Sequence, residues 1–221
     1  MTFGAVMIST GMTTRAERVW AVLLACVGLF ALVLQYYLVL QSGQEASVGQ
    51  LTLRFFSYFT IQANVLVILM LLSYAMRPAV EEWAVHPFDR CGIASYIIVV
   101  ALVYVTTLRE LWSPQGAQWV ADVLLHYVMP LAYLAFWLVV MHKAGLRWYD
   151  PLLWLIYPVF YLAFVLLHGR FTGFYPYPFI DVAKLGYGKM LLNASGIALA
   201  FLVSGYVVLT ISRRMARREP V

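Results

Sequence analysis

Thr60 and His126 are the residues whose types could perform nucleophilic chemistry within the apolar parts of this sequence. A hydroxyl is a weak nucleophile until a neighbouring base takes its proton, and histidine is the usual base near neutral pH. Asp122 precedes His126 by four residues, which is one helical turn, so its carboxylate can lie beside the imidazole. It would either orient the ring or hold its charge. The three residues favour hydrolysis of an ester by a threonine nucleophile.

A stripe of polar side chains accompanies Thr60. Serine, arginine or asparagine in this stripe could donate hydrogen bonds to the oxyanion that forms during attack on an ester. Ser and Thr also bond carbonyls of their own helix, and Asn64 and Gln62 are more typical of bonds between helices. Within the stretch RFFSYFTIQAN, the stripe recurs at helical intervals of three or four residues as Arg54, Ser57, Thr60 and Asn64.

The composition places these residues in a membrane. Of the 221 residues, 63% are hydrophobic and 11% are charged. A water-soluble domain of this size could not cover so much apolar surface with polar side chains. The basic residues lie near the ends of apolar stretches, so membrane lipids are the expected partners and nucleic acid is not. We expect a multi-pass protein of the cell membrane, which is the plasma or inner membrane in a prokaryote.

Six apolar stretches are long enough to cross the hydrocarbon as helices, which takes about 20 residues each. The predicted fold class is therefore all-α, with six transmembrane helices in one bundle at residues 19–212. Cytoplasmic tails are expected at residues 1–18 and, with basic character, at residues 213–221. Pro158 lacks an N–H, so a neighbour must satisfy the carbonyl that it leaves free. The predicted spans are Val19–Leu40, Leu53–Met76, Gly92–Leu111, Trp119–Met141, Pro151–His168 and Gly188–Ile211.

The fifteen Lys and Arg residues are distributed unevenly between the two ends of these helices. If the N-terminus is inside the cell, ten fall on the inner side and five on the outer side. This agrees with the excess of Lys and Arg that cytoplasmic loops of membrane proteins carry. An even number of spans then places both termini in the cytoplasm. No cleavable signal peptide is expected, and either Met1 or Met12 could be the start. The inner set is Arg15, Arg18, Arg77, Arg90, Lys143, Arg147, Arg213, Arg214, Arg217 and Arg218, and the outer set is Arg54, Arg109, Arg170, Lys184 and Lys189.

Thr60 and His126 share a depth in the predicted bundle. Each lies seven residues beyond the start of its span, about 10 Å below it at about 1.5 Å per residue. The two side chains can therefore meet in the outer half of the bundle if their helices are neighbours. The inner halves of these spans, VLVILMLL and YLAFWLVV, are almost wholly apolar, which favours a closed pocket over a conducting path. The other residues expected to line the pocket or its lid are His168, Tyr175, Tyr177, Asp181 and Asn193.

The segment GRFTGFYPYPFID follows the fifth span and is rich in aromatic residues. Pro176 and Pro178 disfavour a continued helix, and the surrounding rings suit a membrane interface. We expect the segment to fold back over the outer mouth of the bundle as a lid or wall. A plain aromatic membrane anchor is the alternative.

Other functions remain open beside threonine-dependent hydrolysis. A zinc site could use Asp122, His126, His168 and Asp181, but no pair has a ligand spacing such as H-x-x-x-H, so no metal or other cofactor is expected. A non-catalytic lipid-binding protein or a small-solute transporter would also fit six helices with polarity on one side. Transporters typically have repeats or broken helices near the midplane, and the sequence indicates neither.

Three segments resemble the androgen-induced gene 1 protein family, which includes the androgen-dependent regulator of tissue factor pathway inhibitor. They are FFSYFTIQAN, LLHYVMPL and HGRFTGFYPYPFID, and the resemblance extends over the helical body of what looks like a compact prokaryotic relative. It implies intramembrane hydrolysis of fatty acid esters of hydroxy fatty acids, with Thr60 as nucleophile and His126 as its partner. Animal members carry Asn at the position of Asp122. The residues matching the loop signature of the family are Thr172, Gly173, Tyr177, Pro178 and Phe179.

Overall fold

A computed structural model describes residues 14–43, 45–76, 86–141 and 143–216 of the chain. Over these ranges the structure is helical and contains no strand, as the sequence predicts. Five helices are long and apolar enough to cross a membrane, and a bent pair makes a sixth span if it is counted as one. Arg77, His142, Arg217, Arg218 and both candidate start methionines lie outside the described residues. The elements are α1 (Arg15–Leu40), α2 (Val48–Phe56), α3 (Phe59–Ala75), α4 (Pro87–Leu111), α5 (Ala117–Val139), α6 (Asp150–Thr172) and α7 (Val182–Ala216).

Several helices begin earlier than the apolar stretches from which they were predicted, because polar capping residues start them. Thr14 accepts a hydrogen bond from the Glu17 N–H at 3.2 Å, and the Glu17 carboxylate accepts one from the Thr14 N–H at 2.9 Å. This capping box satisfies N–H groups that have no partner within α1. His86 caps α4 in a similar way, with Pro87 in the first helical turn.

The second predicted span is broken, which corrects the expectation of one straight helix. α2 and α3 meet at an angle of 75° across Ser57 and Tyr58. The polar side chains of RFFSYFTIQAN therefore do not form one stripe on a single helix face. Thr60 is instead the second residue of α3, close to the helix N-terminus. The 17 residues of α3 then run about 26 Å toward the other end of the bundle, so the break lies near one membrane surface rather than at the midplane.

Side chains satisfy the carbonyls that the break leaves without helical partners. The Gln62 amide donates to the Phe56 carbonyl at 2.7 Å, and the Tyr161 hydroxyl donates to the Ser57 carbonyl at 2.7 Å. Unpaired carbonyls are costly away from water, so these bonds allow an irregular backbone at membrane depth. The Tyr157 hydroxyl also reaches the Gln62 side chain, at 2.6 Å, and this confirms the expected bond between helices.

A π-turn interrupts α5 at Leu124–Val128. In a π-turn a carbonyl accepts from the N–H five residues later, and five residues after Leu125 stands Pro130, which has none. Asn64 of α3 supplies the missing donor, because its side-chain amide donates to the Leu125 carbonyl at 3.2 Å. The predicted role of Asn64 as a hydrogen-bond donor between helices is confirmed. The bond also ties α3 to the turn that carries His126.

Pro158 has the predicted effect on α6. The helix is interrupted at Leu155, and the proline leaves the Trp154 carbonyl without its helical donor. The Tyr96 hydroxyl of α4 donates to this carbonyl at 2.8 Å. A neighbouring helix thus satisfies the freed group, as expected.

α3 lies at the centre of the bundle, between α1 and α4, while α7 packs on α4 and α5 packs on α1. Residues 156–172 of α6 approach the bundle mainly through the tips of long side chains. Tyr157 and Tyr161 place their rings 5.8 and 5.0 Å from that of Phe59, measured between centroids. Residues 156–172 of α6 therefore form an outer wall, whereas its first turn, Asp150–Trp154, packs directly on α7 and α4.

We predict that both termini are cytoplasmic and that the segment joining α6 to α7 faces outside. Phe171 and Met76 are 80% and 73% exposed at opposite ends of the bundle, so cysteines there test the prediction. With Cys26 and Cys91 replaced by alanine, a membrane-impermeant thiol reagent applied to intact cells should label Phe171→Cys, and should label Met76→Cys only after permeabilisation. The opposite pattern would place the site on the cytoplasmic side.

Candidate functional site

Thr60 and His126 lie together, as the shared depth predicted. The Thr60 hydroxyl oxygen is 3.4 Å from Nε2 of His126, and the threonine is only 7% exposed. The distance exceeds the range of about 2.6–3.2 Å for a formed bond between nucleophile and base, which is common before substrate closes a site. The break between α2 and α3 places Thr60 here, and the π-turn of α5 presents His126.

Asp122 fixes the orientation of the imidazole from the other side. Nδ1 of His126 lies 3.1 Å from the Asp122 backbone carbonyl and 3.3 Å from carboxylate Oδ1. A hydrogen on Nδ1 therefore points at Asp122, which leaves Nε2 with a lone pair directed at Thr60. The carbonyl is the nearer acceptor, so the carboxylate acts on the ring mainly through its charge. This arrangement selects the tautomer that can accept the threonine proton.

Tyr177 reaches the same site from the aromatic loop, where the sequence predicted only a lid residue. Its hydroxyl accepts the Thr60 backbone N–H at 3.3 Å and lies 3.5 Å from the Thr60 hydroxyl. Burial raises the pKa of the Tyr177 phenol, so the hydroxyl keeps its proton near neutral pH. Tyr177 therefore supplies an O–H donor beside the N-terminus of α3.

The supporting polar residues serve the backbone rather than the Thr60 hydroxyl. The Ser57 hydroxyl donates to the Arg54 carbonyl at 2.7 Å, and the Asn64 amide donates to the Thr60 carbonyl at 2.8 Å as well as to Leu125. These donors are therefore engaged and do not point at an oxyanion. The Arg54 guanidinium lies 5.1 Å from the centre of the Phe174 ring. Ser57 and Asn64 therefore have structural roles in place of the expected role as donors to an oxyanion.

Residues 173–181 fold against the end of the bundle that carries the site. Gly173 ends α6 with φ of 70°, a left-handed conformation that glycine adopts without strain. The Tyr175 ring lies on Gly169, and the Asn193 amide donates to the Phe179 carbonyl at 3.0 Å. The segment is thus anchored to both α6 and α7.

His168 and Asp181 lie at the edges of this segment and do not contact Thr60. The His168 ring stacks on Phe164 with centroids 6.0 Å apart. Asp181 accepts the Lys184 N–H at 3.3 Å and pairs with the Lys184 ammonium at 3.2 Å, so it caps the start of α7. No group of three His, Cys, Asp or Glu side chains gathers in the described parts of the chain, so the four residues considered for zinc do not form a cluster there.

Tyr104 belongs to the site although sequence reasoning missed it. Its ring stacks on that of His126 with centroids 4.0 Å apart and an angle of 18°, and its hydroxyl donates to Asp122 Oδ2. Tyr104 begins a second π-turn, Tyr104–Leu108 in α4. In sequence it is one of 15 tyrosines, and no helical spacing connects it to residues on another helix.

A cavity of about 130 Å³ extends from Thr60 between α4, α6 and α7. Its wall is aliphatic and aromatic apart from the hydroxyl groups of Thr60, Tyr161 and Tyr177. On α6 and α7 the lining side chains include Pro158, Leu162 and Ala198, which are only half-buried. The cavity therefore opens toward the lipid-facing side of the bundle.

No protein-family model, curated protein or solved structure matches the chain. The geometry of its own residues must therefore carry the functional argument.

We predict that Gly169→Ala displaces residues 173–181. A Cβ at Gly169 would lie 2.2 Å from the Tyr175 ring, and such overpacking costs about 1–3 kcal/mol. The variant should have a lower melting temperature in detergent and faster proteolysis between Gly173 and Asp181. Gly196→Ala is the matched control, because nothing lies within 4 Å of the added Cβ. Equal melting temperatures and cleavage rates for the two variants would contradict the docking of Tyr175 on Gly169.

Proposed function

We propose that this chain is an intramembrane hydrolase of lipid esters, with Thr60 as nucleophile and His126 as general base. The observation that carries the proposal is the 3.4 Å contact between the Thr60 hydroxyl and Nε2 of His126 beside an apolar cavity. An isolated threonine would bond its own helix, whereas this hydroxyl meets a base whose other nitrogen is oriented by Asp122.

The first half of the reaction transfers the acyl group to the enzyme. The Thr60 oxygen attacks the ester carbonyl while Nε2 of His126 takes the hydroxyl proton. Negative charge develops on the former carbonyl oxygen, and the Tyr177 hydroxyl is the donor closest to the reacting oxygen. The C–O bond to the alcohol then breaks, and the alcohol leaves with the proton from His126. An acyl-threonine remains.

The second half releases the acid. His126 takes a proton from a water molecule, and the resulting hydroxide attacks the acyl-threonine carbonyl. The bond to Thr60 breaks, the threonine oxygen recovers the proton from His126, and the carboxylic acid departs. The sum of both halves is ester plus water giving alcohol plus acid, and no cofactor is required.

The cavity indicates the class of substrate. Its apolar wall offers no partner for a charged or strongly polar group, whereas an acyl chain can lie along it with its ester at Thr60. The half-buried residues on α6 and α7 provide an entrance from the bilayer. The resemblance to the androgen-induced gene 1 family supports the same assignment, because Thr60 and His126 occupy the positions of the catalytic pair. Membership of that family is part of the proposal.

Thr60→Ala and His126→Ala should each lower kcat for ester hydrolysis by about 10³-fold or more and abolish covalent labelling by a fluorophosphonate probe. The double variant should be no worse than either single one, because the two groups act as one unit. Thr60→Ser should keep measurable activity. Asp122→Asn should cost less than either alanine change, since the backbone carbonyl of residue 122 still receives the Nδ1 hydrogen.

Thr210→Ala is the control for these variants. The Thr210 hydroxyl donates to the Tyr206 carbonyl of its own helix at 2.7 Å, so its loss should leave both hydrolysis and labelling unchanged. Each variant must migrate as folded protein in size-exclusion chromatography. Undiminished labelling of folded Thr60→Ala would overturn the assignment of the nucleophile. Absence of labelling in the unaltered protein would favour a non-catalytic lipid-binding protein.

Ala198→Phe should restrict the length of the acyl chain that is hydrolysed. The new ring would fill much of the cavity, so esters of long-chain acids should lose about 10-fold or more in kcat/KM while acetyl esters keep their rate. Ala200→Phe makes the same change on the same helix at a position that does not line the cavity. If Ala198→Phe and Ala200→Phe changed kcat/KM to the same extent, for long-chain and for acetyl esters alike, the acyl chain would have to bind elsewhere.

A further inference from the structure

We propose that Tyr104 is a positioning residue of this site, which acts on His126 through the Asp122 carboxylate. The inference rests on the proposed function and deepens it by adding a fourth member to the set of Thr60, His126 and Asp122. Tyr104 touches neither the nucleophile nor the cavity wall. Its ring stacks on the imidazole of His126, and its hydroxyl bonds the carboxylate of Asp122.

Two π-turns bring these groups together. Tyr104–Leu108 in α4 and Leu124–Val128 in α5 each widen one turn of a helix, and they carry Tyr104 and His126 respectively. A π-turn is uncommon and is frequently located at a functional site, because it redirects side chains that a regular helix would separate. Here the two rings are nearly parallel at 4.0 Å, so each limits the rotation of the other.

The Tyr104 hydroxyl also governs the charge that faces the imidazole. Asp122 is buried at 4% exposure, and its Oδ2 receives the Tyr104 hydrogen while Oδ1 lies 3.3 Å from Nδ1 of His126. A hydrogen bond stabilises a buried carboxylate as the anion and withdraws charge from it. Without that donor the full charge of the carboxylate would face Nδ1 of His126. Tyr104 therefore reduces the charge that acts on the imidazole.

The groups that face the His126–Asp122 pair come from several elements. Tyr104 approaches from α4 and Thr60 from α3, and the Tyr177 hydroxyl is close to Thr60 from the aromatic loop. Arg109 lies at the end of α4, the helix that carries Tyr104. Of these, only Tyr104 bonds the carboxylate, so removal of its hydroxyl isolates that interaction.

Tyr104→Phe is the test, because it removes the hydroxyl and retains the stacked ring. We expect kcat to fall by up to about 10-fold at neutral pH, and the acidic limb of the kcat/KM profile to move upward by about one pH unit. The imidazole NMR titration of His126, assigned by its loss in His126→Gln, should shift upward by the same amount. In an Asp122→Asn background, Tyr104→Phe should have no further effect on kcat, on the acidic limb of the kcat/KM profile or on the NMR titration of His126.

Tyr127→Phe is the matched control. The Tyr127 ring meets the same Tyr104 ring edge-on at 5.4 Å, so this variant removes a neighbouring phenol without touching Asp122. It should leave the pH profile and the His126 titration unchanged. An unshifted or downward-shifted midpoint in folded Tyr104→Phe would overturn the proposal, as would a full additional effect in the Asp122→Asn background.

The titration separates this inference from the proposed function. If Thr60 is not labelled in the unaltered protein, the proposal of a threonine hydrolase fails. The midpoint of the His126 titration can still be compared between the unaltered protein and Tyr104→Phe. If Thr60 is labelled and the midpoint is the same in both, the hydrolase assignment stands and the role of Tyr104 fails.

Discussion

The need to pair every backbone carbonyl away from water governs this structure. A regular helix meets that need by itself, so each irregular turn inside the membrane requires a donor from elsewhere. The chain supplies such donors as side chains of other helices. Asn64 bonds the Leu125 carbonyl, Tyr96 bonds that of Trp154, and Tyr161 bonds that of Ser57. These bonds join α3 to α5, α4 to α6, and α6 to the break between α2 and α3. The same contacts that permit the irregular backbone therefore hold the bundle together.

The irregular turns coincide with the candidate site. The break before α3 places Thr60 near a helix N-terminus, the π-turn of α5 presents His126, and the π-turn of α4 presents Tyr104. In a straight helix a hydroxyl commonly bonds a carbonyl of its own backbone, as that of Thr210 does with the Tyr206 carbonyl in α7. Reactive geometry here depends on departures from helical regularity. Asn64 supports that geometry, because it bonds the carbonyls of both Thr60 and Leu125.

Much of the fold and part of the site could be predicted from the sequence, for identifiable reasons. Apolar stretches report membrane spans directly, because length and hydropathy are the physical requirements for insertion. The approach of Thr60 to His126 followed from a common depth, and Asp122 followed from a spacing of one turn. The break at Ser57 was not predictable, since FFSYFT contains neither glycine nor proline and the Ser57 carbonyl is satisfied by Tyr161, 104 residues away. The role of Tyr104 and the contact of Tyr177 with Thr60 were not predicted for the same reason, because a contact between distant segments leaves no periodic signal.

The position of α6 has a consequence for the shape of molecule that the cavity can admit. The distance between this part of α6 and the bundle is set by the length of a tyrosine side chain. Tyr157 and Tyr161 extend from α6, and their hydroxyls bond Gln62 and Ser57 respectively. Two rigid phenols hold this part of α6 at a fixed distance from α3, whereas flexible side chains would let that distance vary. Tyr161 also lines the cavity, so the wall beside Thr60 is held by a side chain that cannot shorten. A cavity with such a wall suits a single narrow chain better than a broad, branched molecule.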